Sequence, residues 1–140
     1  MVRALSANPF SRRSRTARPL KILVADDSRD SMTTLAALLV AEGHEVRGVQ
    51  RSSDVLGAER DFRPDVVILD LQMPEISGYD LARWLRARHP RNCPLLIALT
   101  GAYTRPDDMH LSLDSGFDHY VTKPYNLDYL LALMLSSTRA

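Results

Sequence analysis

With 140 residues and 45% hydrophobic content, the chain has material for one packed core. Its single cysteine excludes an internal disulfide, and no apolar run approaches the roughly 20 residues that a membrane-spanning helix needs. The net charge of +1 hides an asymmetry: 18 basic residues less the five in the first 20 positions leave 13 against 17 acids, a net of −4 over residues 21–140.

In chain order, the arginine-rich segment 1–19 comes first. It contains Arg3, Arg12, Arg13, Arg15 and Arg18 and no acid. Its composition suits a disordered leader, and it would equally suit an organelle transit peptide or a basic arm for an acidic partner. Residues 20–140 then alternate short apolar runs with amphipathic stretches. Strands are predicted at Ile22–Ala25, Glu45–Val49, Val66–Leu69, Leu95–Leu99 and Phe117–Val121. The first, third and fourth are continuously apolar, as central strands of a parallel sheet covered on both faces are. Helices are predicted over about 28–42, stopped by Gly43, then 53–61, 79–88, 105–115 and 126–136. The fourth has Pro106 in its first turn and a thin apolar stripe, which makes it the least stable of the five. Trp84 is placed beside the apolar stripe of the third, partly covered.

Five strand–helix units in about 120 residues indicate an α/β domain with a doubly wound parallel sheet. Ligands of such sheets bind beyond the carboxyl ends of the strands, where the strand order reverses. The polar residues at those ends therefore share an address: Asp26 and Asp27 after the first strand, Asp70 after the third, Thr100 after the fourth and Lys123 after the fifth. Converging carboxylates need a counter-ion. Mg²⁺ satisfies that need with one or two carboxylates, water and a phosphate oxygen. Asp27 and Asp70 are the candidate direct ligands, with Asp26 acting through water. A carboxylate is also a nucleophile towards phosphorus, with the metal and Lys123 neutralising the phosphoryl charge and Thr100 hydrogen-bonding an oxygen. Gly101 leaves room for that group. No glycine-rich nucleotide loop is present.

The segments "ILVADDS", "VVILDLQMPEISGYDLARWLR", "LIALTGA" and "FDHYVTKP" together resemble the response-regulator receiver domain of two-component signalling, across residues 20–137. The resemblance is to stand-alone, chemotaxis-regulator-like receivers. It implies a flavodoxin-like strand order 2-1-3-4-5 with five helices and Asp70 as phosphoacceptor. Asp26 and Asp27 would then organise Mg²⁺, with the backbone carbonyl of Gln72 as a further ligand, and Thr100 and Lys123 would contact the phosphoryl group. It further implies a cis Lys123–Pro124 peptide and a switch in which Thr100 moves inward and Tyr120 turns into the vacated space. That switch remodels the face of the fourth helix, fifth strand and fifth helix. One departure is the loop "TGAYTRPDD", one residue longer than usual, so that Ala102 or Tyr103 could fill the position that tunes dephosphorylation.

Taken singly, these residues have plainer readings: Asp26 and Asp27 as helix caps, Asp70 as a turn residue, Thr100 as an ordinary strand-end residue, Lys123 as an ordinary surface lysine, Tyr120 as half-buried core. Lys123 is one of only two lysines among the 18 basic residues, which fits a point-charge role. The four histidines show no ligand spacing. The functional expectation is a signalling switch, not a conventional enzyme, phosphorylated by a sensor histidine kinase or histidine phosphotransfer protein. A relay shuttle or a Mg²⁺-dependent aspartyl-phosphate hydrolase is the alternative. Output to a downstream protein, no nucleic-acid contact, no membrane span and a cytoplasmic location complete the expectation.

Overall fold

The computed structural model describes residues 18–101 and 116–138. They form a five-stranded parallel sheet of order β2-β1-β3-β4-β5. The strands are β1 (Lys21–Ala25), β2 (Glu45–Val49), β3 (Val66–Asp70), β4 (Leu95–Thr100) and β5 (His119–Thr122). Among the described residues there are four α-helices: α1 (Arg29–Ala41), α2 (Val55–Phe62), α3 (Gly78–Arg88) and α4 (Leu127–Thr138). The helix expected over 105–115, and the lengthened loop that holds Ala102 and Tyr103, lie outside the described residues.

Alternation along the strands divides the core in two. Ile22, Val24, Val66, Ile68, Ile97 and Leu99 pack with Leu35 and Leu39 of α1 and with Leu130 and Met134 of α4. Leu23, Ala25, Val67, Leu69, Leu96 and Ala98 pack with Val55 and Phe62 of α2 and with Leu81 and Leu85 of α3. Every residue of β3 is buried, as its unbroken apolar run requires in a sheet covered on both faces. Each fully buried leucine contributes about 1.5–3 kcal/mol through water exclusion.

Local chemistry sets the helix ends. The Ser28 hydroxyl accepts from Ser31 N and caps α1, and the Ser77 hydroxyl accepts from Tyr79 N and caps α3. Gly43 follows α1 with φ +97°, a conformation that costs glycine little. The second helix begins as a 3-10 turn, Ser52–Asp54, before α2, which ends at Arg63 with φ +54°. Buried Glu59 of α2 meets Arg88 at 2.8 Å, and its other carboxylate oxygen lies 2.8 Å from His89 Nε2, tying α2 to the end of α3.

One strand start and the exposure of Trp84 differ from expectation. The fifth strand starts at His119 and not at Phe117. The Asp118 carboxylate accepts the Leu96 N–H at 2.8 Å, and Phe117 turns into the core against Tyr79. Regular pairing then begins with Ile97 opposite His119. Trp84 is 47% exposed, more than its place beside the α3 stripe suggested.

His44 couples the start of the sheet to pH. Its buried Nδ1 accepts the Leu20 N–H at 3.0 Å. Burial lowers its pKa below 6.5, against the pull of Glu42. The fold therefore resists a proton that the unfolded chain accepts, and this stability is full above about pH 6.5 and declines below it. Thermal melts at pH 7.5 and 5.5 should show a larger loss for the wild type than for His44→Asn, which keeps an acceptor but cannot be protonated. Equal losses would remove His44 as the cause.

Candidate functional site

The strand order reverses between β1 and β3, and the register sets Ala25 opposite Leu69. The next residues, Asp26 and Asp70, are therefore neighbours at the carboxyl edge. Both are nearly buried, at 3% and 5% exposure, while Asp27 faces solvent. Carboxylate oxygens of Asp26, Asp27 and Asp70 all lie within 4.8 Å of one another. This oxygen-only donor set fits a hard divalent cation.

Lys123 reaches the same point from the far side of the sheet. Thr100 pairs with Thr122 in register, and Lys123 N donates to Thr100 O at 2.7 Å, which starts the lysine side chain at the carboxyl edge. Its ammonium donates to Asp70 Oδ2 at 3.0 Å and to Asp26 Oδ2 at 3.3 Å. The Lys123–Pro124 peptide is cis. Burial alone would lower the lysine pKa; the Asp70 and Asp26 carboxylates outweigh it and hold the pKa above the usual value. For Asp26, burial comes first and raises the pKa, and repulsion from Asp70 adds to it. The Ser28 N–H, donating to Asp26 Oδ1 at 2.9 Å, and the Lys123 charge offset only part of this.

Of the remaining predicted residues, Gln72 joins this centre, and Thr100 and Tyr120 lie on β4 and β5. Thr100 is 4% exposed at the end of β4. Gln72 N donates to Asp70 Oδ1 at 2.8 Å, so the backbone after Asp70 folds back onto its carboxylate. The room at Gly101 serves Gln72: a Cβ at 101 would lie 3.0 Å from the Gln72 side-chain nitrogen. Tyr120 is half-buried against the α2/α3 side of the core, and its hydroxyl is buried with no partner among the described residues. Of the face expected to signal, β5 and α4 are described and the 105–115 stretch is not.

The family comparison matches residues 22–135 to the response regulator receiver domain. The chain belongs to that family. The DNA-binding response regulator MtrA of Mycolicibacterium smegmatis is 36% identical over 119 residues, which is 85% of this chain and 50% of MtrA. The transcriptional regulatory protein KdpE of Mycobacterium tuberculosis is 35% identical over 122 residues, 84% of this chain and 50% of KdpE. The chain thus spans about half the length of these curated relatives. Among solved structures, a receiver domain from Clostridium thermocellum has a TM-score of 0.74 at 30% identity, covering 84% of this chain and 92% of that one. A receiver domain from Bermanella marisrubri has a TM-score of 0.76 at 26% identity, covering 85% and 98%. A receiver domain of this family implies phosphoacceptor signalling.

The expectation of no nucleic-acid contact is corrected by these relatives, since MtrA is a DNA-binding protein. The net charge of −4 describes residues 21–140 alone, and half of each relative lies beyond the matched part. An acidic receiver is therefore compatible with a DNA-binding protein. Among the described residues, no helix is long and apolar enough to cross a membrane.

Sequence reasoning missed Ser52. It is 1% exposed, and its hydroxyl bonds the loop that follows Asp70. It lies in a polar stretch, "QRSSD", with no apolar periodicity to mark it.

The buried acid pair carries a stability cost. Asp26→Asn removes the charge that burial disfavours, so it should raise the stability of the metal-free protein by about 1 kcal/mol, read by urea unfolding in EDTA. A clear loss of stability would show that the ionic contact to Lys123 outweighs the burial of the charge.

Proposed function

We propose that this receiver is phosphorylated on Asp70 by a phosphohistidine donor in a Mg²⁺-dependent reaction. The observation that carries the reading is the position of Lys123, which bridges Asp70 and Asp26 at 3.0 and 3.3 Å. An Asp70 carboxylate oxygen attacks phosphorus and forms the P–O bond of an acyl phosphate. The P–N bond of the donor breaks, and the imidazole nitrogen leaves with the bonding pair. The Lys123 ammonium, already at Asp70, follows the charge onto the phosphoryl oxygens. Thr100, buried at the end of the adjacent strand, hydrogen-bonds one of them on this reading. Mg²⁺, when held by the carboxylates of Asp26, Asp27 and Asp70 and the carbonyl of Gln72, supplies further neutralisation of that charge.

The acyl phosphate then biases a two-state equilibrium in which Thr100 is drawn inward and Tyr120 occupies the space behind it. The half-buried ring of Tyr120 and its hydroxyl, without a partner among the described residues, support its place in that switch. The protein is on this reading a signalling switch and not an enzyme that turns over external substrates. Gln72 stands two residues after Asp70, where aspartyl-phosphate hydrolases usually carry a second acid.

Incubation with acetyl phosphate and Mg²⁺ should add one phosphoryl group to the intact mass, and Asp70→Asn should abolish the adduct. An adduct that survives Asp70→Asn, or none in the wild type, would sink the reading. Exposed Asp27 is free to turn to the metal, whereas Asp26 is held by Ser28 N and Lys123. Asp27→Ala should therefore weaken Mg²⁺ binding more than Asp26→Ala in a calorimetric titration. The reverse order would exchange their roles.

A further inference from the structure

Three consecutive residues after β2 grip the turn that follows the phosphoacceptor strand. Ser52 donates to Pro74 O at 2.6 Å and accepts from Ile76 N at 2.9 Å. Arg51 pairs with Glu75 at 2.9 Å, and the Ser53 hydroxyl donates to the other Glu75 oxygen at 3.4 Å. Between these anchors Glu75 has φ +80°, a conformation unfavourable for a residue with a side chain. The Ile76 N–H is shared, since Pro74 O also lies 3.1 Å from it.

The Arg51–Glu75 pair is exposed and contributes little. Ser52 is different, because the residue is buried and its hydroxyl makes two hydrogen bonds to the backbone of the turn. Removing that hydroxyl leaves Pro74 O with the Ile76 N–H as its partner and takes from Ile76 the shorter of its two hydrogen bonds. On the upstream side of the turn stands Gln72, whose N–H is already spent on Asp70. Gln72 thus lies between two anchored points, Asp70 behind it and the Ser52-bound Pro74 ahead of it, with buried Met73 in between.

We propose that Ser52 is a positioning residue for the phosphoacceptor site, acting through the Pro74–Ile76 turn on the Gln72 backbone and the Asp70 carboxylate. The proposal rests on the functional reading above for its consequence, a formed Mg²⁺ and phosphoryl site, and on geometry alone for the anchor itself. It makes the segment after β2 a support of the site, although none of its residues reaches the acids. Groups that orient metal ligands from outside typically change affinity or activity about 10–100-fold when removed.

The test compares the wild type, Ser52→Ala and Ser52→Thr in the whole chain, each first shown to be folded by circular dichroism. Amide exchange at Ile76 is read without metal, Mg²⁺ affinity by calorimetry, and phosphorylation rate with acetyl phosphate. Ser52→Ala should speed Ile76 exchange and weaken Mg²⁺ binding about ten-fold, while Ser52→Thr, which keeps the hydroxyl, restores most of both. Unchanged exchange and affinity in Ser52→Ala would overturn the proposal. So would equal losses in both variants, which would mark packing and not the hydroxyl as the cause. Should Ser52→Ala not fold, Ser52→Cys, similar in size with weaker hydrogen bonds, is read the same way. A wild type that takes no phosphoryl group, with Ile76 exchange still raised in Ser52→Ala, overturns the functional reading and upholds Ser52 as the anchor. A phosphorylated wild type with no effect in Ser52→Ala overturns only the anchor.

Discussion

One ammonium group partly offsets the charge at the carboxyl edge of this sheet. Lys123 stands 3.0 Å from Asp70 and 3.3 Å from Asp26. Without it, two carboxylates would be nearly buried side by side with no cation, an arrangement that desolvation and mutual repulsion both oppose. Even with it, Asp26 is held away from its ordinary ionisation. The site is therefore under-neutralised by one charge or more, and a divalent cation or a proton relieves that state. An under-neutralised acid pair attracts a cation because its stability has been sacrificed locally.

The rest of the fold serves to hold these groups at one point. A parallel sheet puts all strand carboxyl ends on one edge, and the reversal between β1 and β3 opens a crevice there. Both core clusters lie below that edge, one on each face, so the polar ends emerge from a rigid platform. The geometry of the loops above it is set by individual hydrogen bonds such as Ser52 to Pro74 and Gln72 N to Asp70. Rigidity below and bonded loops above suit a site that must accept a group and then report it.

Much of this was legible in the chain. Continuous apolar runs mark β1, β3 and β4 because burial on both faces leaves no polar positions, and each ends in a residue of the site. Glycine and serine at helix ends mark the boundaries of α1 and α3, since their backbone and capping chemistry is local. The start of β5 was misplaced because Asp118 takes the Leu96 N–H through its side chain, a long-range bond that no local pattern reveals. Ser52 was missed for the same reason: its partners lie 22 and 24 residues away. The expectation of no nucleic-acid contact failed because half of each curated relative, MtrA being DNA-binding, lies beyond the part that matches this chain.

By itself the sequence determined the class of fold, the chemistry at each strand end and the family, since periodicity, residue type and order are properties of the chain read along its length. Only the tertiary structure decided how those ends share charge. Asp26 and Asp27 are adjacent and chemically identical, yet one is buried against Lys123 and the other faces water. That difference comes from Lys123, 97 residues away, and from the register of β1 against β3. Desolvation and Coulomb interaction act through space, so the asymmetry exists only once the sheet has brought the partners together.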